Sequence, residues 1–163
     1  ALMEAGAEFG IKPFGIRAMT AMAIEKSYRL IPRELSIEYS AWESGLDRFV
    51  HPDKGDFIGR DALVSLKDKG PNWTFVTLEV HGVTDADARG NEAIHKDGTL
   101  VGRAPHGGYG WRVDKSLALA MVKPDYAAEG TELEIKILGK PHKATVIGES
   151  PFDAENAALR MDV

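Results

Sequence analysis

The sequence predicts an α+β chain, helices first and antiparallel strands second, from three observations. Apolar residues recur on a 3.6-residue period up to about Lys69, the period changes to 2 beyond Trp73, and Gly70-Pro71-Asn72 punctuates the change. The chain therefore divides at that tripeptide into residues 1–69 and 70–163, together large enough to bury a sizeable core.

Within the first unit, residues 1–10 have helical composition, with Leu2, Met3, Ala5 and Phe9 apolar and Gly10 suited to a C-cap. Pro13 breaks that segment. From residue 15 to about 28, Ile16, Met19 and Ala23, flanked by Ala18, Met22 and Ile24, form a broad apolar stripe that predicts a buried helix of three to four turns. Pro32 stops it, residues 33–41 read as a loop, and a short strand is expected around residues 47–51. Residues 55–59 form a turn, and Leu63 and Leu66 mark a short amphipathic helix over 60–67 that ends near Gly70.

In the second unit, Phe75, Thr77 and Glu79 alternate with Val76, Leu78 and Val80 as in an amphipathic strand. Residues 92–95 and 100–103 flank Lys96-Asp97-Gly98, a hairpin turn signal. Residues 116–122 are almost wholly apolar, as in a strand covered on both faces; 132–138 alternate again, and Gly139-Lys140-Pro141 leads into a last strand over 143–147. Six or so short strands with Gly and Pro between them suggest a small barrel or sandwich.

Composition excludes several classes. With 44% hydrophobic and 28% charged residues the chain is ordinarily globular, and a net charge of −5 leaves no uniform positive field for nucleic acid. No cysteine is present, which removes disulfides, thiolate metal sites and a cysteine nucleophile and suits a reducing cytoplasm. No apolar run reaches the roughly 20 residues of a membrane span. The N-terminus has neither an initiator methionine nor a signal-type core, so an upstream segment of the same fold is expected before Ala1.

Candidate chemistry is sparse. His51, His81, His95, His106 and His142 fall one to a segment without ligand spacing, so they read as loop and surface imidazoles and no metal site is assigned. The cluster His106-Gly107-Gly108-Tyr109-Gly110-Trp111 lacks the order of a phosphate loop and reads as a strand bend where glycines allow positive φ or close approach while Tyr109 and Trp111 pack. Arg17, Lys26, Arg29 and Arg33 have guanidinium or ammonium groups suited to carboxylates, or else form a solvated basic face paired with Glu25 and Glu34. Glu25 and Tyr28, three apart, are expected on one helix face. Asp53, Asp56 and Asp61 read as turn and helix-start acids. No nucleophile elbow or flanked carboxylate pair is evident, so no catalytic residue is named.

Three stretches nevertheless resemble a known family. Gly15-Ile16-Arg17-Ala18 through Glu25-Lys26-Ser27-Tyr28-Arg29, then Ser40-Ala41-Trp42-Glu43-Ser44-Gly45-Leu46 and Asp56-Phe57-Ile58-Gly59-Arg60-Asp61-Ala62-Leu63, are similar to the folate-dependent aminomethyltransferases: the glycine cleavage T-protein and the C-terminal regions of dimethylglycine and sarcosine dehydrogenases. Downstream, Gly90-Asn91-Glu92-Ala93-Ile94 and Ser150-Pro151-Phe152-Asp153 resemble the dehydrogenase branch. The resemblance implies that residues 1–69 end a ferredoxin-like folate-binding region and that 70–163 form a small antiparallel β-barrel.

It further implies transfer of a one-carbon unit from a methylated amine to tetrahydrofolate, with Arg17, Glu25 and Tyr28 on the folate side. FAD enters only if a separate upstream domain carries it. The family's catalytic aspartate lies upstream of Ala1, and the fragment alone is expected to be inactive. T-proteins carry Arg-Asp where Met19-Thr20 stand, many members have an aromatic residue and glycine at Ile31-Pro32, and Thr-Ser-Gly is replaced by Pro105-His106-Gly107. These departures favour a demethylase of another methylated amine over glycine cleavage. The rival reading is a non-catalytic interaction or scaffold module; a third is a small-ligand barrel in which Trp73, Tyr109 and Trp111 share one pocket.

Overall fold

Period-2 sequence becomes strand wherever the pattern predicts it. The computed structural model describes residues 1–83 and 85–160; the predicted second unit's residues 161–163 lie outside them. The strands are β1 (Thr74–Val80), β2 (Glu92–Lys96), β3 (Thr99–Gly110), β4 (Lys115–Val122), β5 (Glu132–Ile137) and β6 (Lys140–Ile147). They form a closed antiparallel barrel in the order β1-β4-β3-β2-β5-β6, with β6 returning to β1 through Leu78–Val146 and Val80–Ala144. The barrel, not the sandwich, is the outcome. Two-residue turns make the hairpins: Asp97 and Gly98 adopt φ of 49° and 79°, and Leu138 and Gly139 adopt 47° and 79°, the left-handed pair that matches strand twist.

Alternation along each strand sends one set of side chains inward. Val76, Leu78 and Val80 of β1 meet Ala118, Ala120 and Val122 of β4, Ile94 of β2, Ile135 and Ile137 of β5 and Val146 of β6 in one core. Strand β4 is apolar on its other face too. There Leu119 and Met121 join Phe75 under Tyr39 and Trp73 from the preceding segment, which explains the unbroken apolar run.

Before the barrel, the chain is helical. The expected helix over residues 1–10 splits at Gly6 into α1 (Leu2–Ala5) and a 3-10 turn (Ala7–Phe9), and Gly10 closes it at φ 68°. Next come α2 (Ile16–Glu25) and α3 (Arg60–Lys69), the latter stopped by Gly70 at φ 77°. The strand expected at 47–51 is instead a 3-10 turn, Asp47–Phe49, followed by another at Pro52–Lys54. Pro52 has no N–H to give a ladder and suits the first position of such a turn. A last short helix, α4, spans Ala157–Arg160.

Glu43 ties this segment to the barrel. Its carboxylate accepts hydrogen bonds from the Ser40 N–H and hydroxyl and from the N–H groups of Asn72 and Trp73, while its carbonyl accepts the Phe75 N–H. Burial alone would raise its pKa. Those four donors outweigh burial and hold it below the usual carboxylate value.

The glycine cluster is not a bend but the last third of β3, extended up to Gly110. Close approach is its purpose. A Cβ on Gly108 would lie 3.0 Å from Ile24 Cδ1 and one on Gly110 3.0 Å from Glu25 Cγ, so bare backbone is what admits the end of α2. A Cβ on Gly107 would stand 2.9 Å from the Ala88 and Leu117 carbonyl oxygens, and the Leu117 one cannot retreat without breaking the sheet. Gly107→Ala should therefore cost about 1–3 kcal/mol of stability in urea denaturation, through overpacking.

Candidate functional site

Helix α2 ends in a turn that sequence reasoning passed over. The Tyr28 N–H reaches back to the Ala23 carbonyl at 2.8 Å and the Ser27 N–H to the Ile24 carbonyl at 2.9 Å, with Ser27 left-handed at φ 53°. This is the Schellman arrangement, normally built on glycine. Serine stands here because its hydroxyl is used. Buried Ser27 Oγ is 2.7 Å from Thr77 Oγ1 of β1 and accepts the Ser150 N–H at 3.0 Å, while Ser150 Oγ donates to the Lys26 carbonyl.

Lys26 and Arg29 face the segment after β6, Arg33 reaches the Pro105 carbonyl of β3, and among the described residues none of the three forms a salt bridge with Glu25 or Glu34. Lys26 Nζ donates to the Asp153 carbonyl and to Asn156 Oδ1 at 2.8 Å. Arg29, its side chain only 7% exposed, forks onto Glu149 at 2.5 and 3.0 Å, donates to the Ser44 carbonyl at 2.9 Å, and lies 3.9 Å above the Phe75 ring. Such a guanidinium acts as a structural rivet.

The three residues assigned to the folate side are placed differently from one another. Arg17 is exposed on the first turn of α2, and Tyr28 is half-exposed beyond its end. Glu25 is buried, and its carboxylate accepts the Arg112 N–H at 2.6 Å. Because the helix stops at Glu25 and the chain reverses at Ser27, Glu25 and Tyr28 do not share a helix face. Nor is α2 buried as expected. Only Ile24 and Glu25 are covered, whereas Phe14, Ile16, Met19 and Met22 are bare.

Two buried ionisable groups were missed. Glu34 is 0% exposed and His106 2%, with Glu34 Oε1 and His106 Nδ1 3.9 Å apart and neither atom otherwise hydrogen-bonded. The other Glu34 oxygen accepts the Leu30 N–H at 2.9 Å. Burial pushes the Glu34 carboxyl up, partly offset by that bond, and pushes the His106 imidazole down to about 4, helped by the positive charges of Arg33 and Arg89. His106 is therefore not a surface imidazole; His95 and His142, too, sit on strands β2 and β6. No spacing in the sequence marks His106. An irregularity in register between Arg103 and His106, where Pro105 interrupts the ladder, sets its position.

The shared aromatic pocket does not form. Tyr109 and Trp111 meet edge to face at 4.9 Å, but Trp73 precedes Thr74, which pairs with Val122, whereas Tyr109 pairs with Ser116 at the far end of β4.

Comparison with known proteins places the fold and these segments together. The model of the glycine cleavage T-protein C-terminal barrel domain matches residues 74–153, and that of the GCVT N-terminal domain matches residues 1–54. The chain belongs to the glycine cleavage T-protein family of aminomethyltransferases and corresponds to the C-terminal portion of its members. Mitochondrial dimethylglycine dehydrogenase of Mus musculus is 37% identical over 98% of this chain, and that of Homo sapiens 39% over 91%. The aminomethyltransferase of Symbiobacterium thermophilum is 37% identical over 93% of it. The chain spans 18% and 17% of the two dehydrogenases and 40% of the aminomethyltransferase. The fold is shared with glycine cleavage system aminomethyltransferase T from Bartonella henselae, at a TM-score of 0.83 and 21% identity over 91% of this chain and 42% of that one. No helix among the described residues is long and apolar enough to cross a membrane.

Two outcomes follow from the ionisable groups. Arg29→Lys keeps the charge but loses the fork and should cost about 1–3 kcal/mol, whereas Glu149→Gln, on the half-exposed partner, should cost under about 1 kcal/mol; urea denaturation of both variants reads the difference. His106 binds its proton less readily folded than unfolded, so its contribution to stability is full above the unfolded value of 6.5 and is lost as pH falls toward about 4. Raised Glu34 works in the opposite sense, losing stability as pH rises from 4.5 through its folded value. Between pH 7 and 5 His106 alone should remove about 2 kcal/mol, and His106→Gln should flatten that part of the pH profile in equilibrium unfolding.

Proposed function

We propose that this chain is the C-terminal portion of a tetrahydrofolate-dependent N-methylamine demethylase or aminomethyltransferase, on the dehydrogenase side of the family. It passes a one-carbon unit from a methylated amine to tetrahydrofolate. The observation that carries this reading is the set of exposed apolar side chains on α2 and the loop before it, with exposed Arg17 on the same helix and half-exposed Tyr28 just after it. Exposed apolar side chains of that number on one segment mark a contact surface.

In this reading, residues 1–69 close the folate region and residues 70–163 are a separate barrel domain that buttresses it. Arg17 supplies a guanidinium for the glutamyl carboxylate, Tyr28 an aromatic edge for the ring system, and Glu25 fixes the wall by holding the end of β3 through Arg112. Bound tetrahydrofolate supplies the nitrogen acceptor for the one-carbon unit. The bare apolar wall excludes water, as transfer of a reactive one-carbon unit requires. A flavin in a further domain would perform the oxidation in a dehydrogenase-type protein, and a reducing cytoplasm suits the cysteine-free sequence. Substitutions at Met19-Thr20, where glycine cleavage proteins carry Arg-Asp, favour a methyl donor other than the glycine-derived one.

Titration with folinic acid tests the reading. The protein extended upstream to the length of its relatives should bind it saturably and this chain alone should not, and in the extended protein Tyr28→Ala and Arg17→Ala should each weaken binding about 5- to 20-fold, about 1–2 kcal/mol. Absence of binding in both forms would return the chain to the scaffold reading.

A further inference from the structure

A cleft of about 460 Å³ opens between the loop that follows α2, the segment just before β2, and strand β3, and no residue of α2 lines it. Three guanidinium groups line it: Arg33 from the loop, Arg89 from the segment before β2, and Arg103 from β3. Tyr39 and Asn91 add a hydroxyl and an amide, and Glu38 is a carboxylate on the same wall.

The charges in this cleft do not cancel. Arg103 is committed: its Nε donates to Tyr39 Oη at 2.6 Å and its terminal nitrogen pairs with Glu38, which uses up the acid on the wall. Arg89 has Asp87 beside it at 3.5 Å, outside the cleft lining, and remains more than half exposed. Arg33 donates one N–H to the Pro105 carbonyl at 3.2 Å, a neutral acceptor, so its charge is unmatched there. Arg33 and Arg89 both line this one cleft, from the loop after α2 and from the segment before β2.

Behind Arg33 stands buried Glu34 with its unpartnered Oε1. Burial pushes that carboxyl's pKa up, while the Leu30 N–H bond and the charges of Arg33 and Arg29 pull it back down. Three arginines line one cleft whose lining holds a single carboxylate, and a planar fork holds two oxygens of one group at once.

We propose that this cleft is an anion site, taking an oxyanion group of at least two negative charges between Arg33 and Arg89, with Arg103 locked by Glu38 and Tyr39 as its fixed wall. The ligand chemistry is that of phosphate or of clustered carboxylates. Net positive charge and fork geometry exclude cations and neutral sugars. The site is independent of the folate reading, since neither Arg17 nor Tyr28 lines it.

Calorimetric titration of the intact protein at constant ionic strength, with inorganic phosphate in one arm and tricarballylate in the other, decides it. Saturable binding in the phosphate arm assigns a phosphate ligand, and in the tricarballylate arm a carboxylate ligand. Arg89→Gln, on an exposed side chain, keeps the fold and should weaken that binding at least 5-fold; Arg33→Lys, which keeps the charge and loses the fork, should weaken it at least 3-fold. Arg48→Gln, whose guanidinium lies over the Phe49 ring elsewhere, should leave it unchanged. No saturable binding in either arm, or equal loss in Arg48→Gln and Arg89→Gln, would overturn the proposal.

Discussion

The seating of the helical segment on the barrel depends on how closely the end of α2 can approach strand β3. Gly108 and Gly110 leave no Cβ in the path of Ile24 and Glu25, so the helix rests on bare backbone. That approach fixes where α2 stops, and where it stops fixes the turn at Ser27. From the turn follow the hydroxyl contact to Thr77, the strap through Ser150 and Phe152, and the line of Arg29 across Phe75 to Glu149. Remove the close approach and the helix loses its seat, while the barrel keeps its own core.

Two sets of forces thus act in series. The barrel interior is apolar burial of the ordinary kind, worth most per residue in β4, where both faces are covered. The joint between helical segment and barrel is polar and specific. Glu43 satisfies backbone donors on both sides of the Gly70-Pro71 break, and Ser27, Lys26 and Arg29 bind the chain that leaves the barrel. A polar joint of satisfied hydrogen bonds adds modest net stability but leaves few alternative geometries. The consequence is a fixed presentation of the α2 surface.

The strands were legible because period-2 alternation and left-handed turn residues at Asp97-Gly98 and Leu138-Gly139 are local signals. Much of the rest was not. The C-terminal half of β3 is rich in glycine and carries Pro105, which on composition alone reads as a loop; only the packing of α2 and Ala88 explains it. The apolar stripe on α2 predicted burial, and period reports a face without reporting what covers it. Asp47–Phe49 formed a 3-10 turn because Pro52 and the local chain reversal outweigh strand propensity. His106 and Glu34, 72 positions apart in numbering, become neighbours only through the irregular register near Pro105. Arg17, Glu25 and Tyr28 came from a motif match, and the motif carried no information that one of them is turned inward against Arg112.

Closure of β6 onto β1 has a consequence for how this chain meets other molecules. Among the described residues every strand has a hydrogen-bonded neighbour on both sides, so the sheet has no open edge strand and recognition by strand addition is disfavoured where the ladders run. Assembly has to proceed by side chains meeting side chains. A partner that docks on the helical flank must then bring a shape-matched apolar surface of its own, which ties association to a folded, specific neighbour and spares the molecule from templated sheet growth.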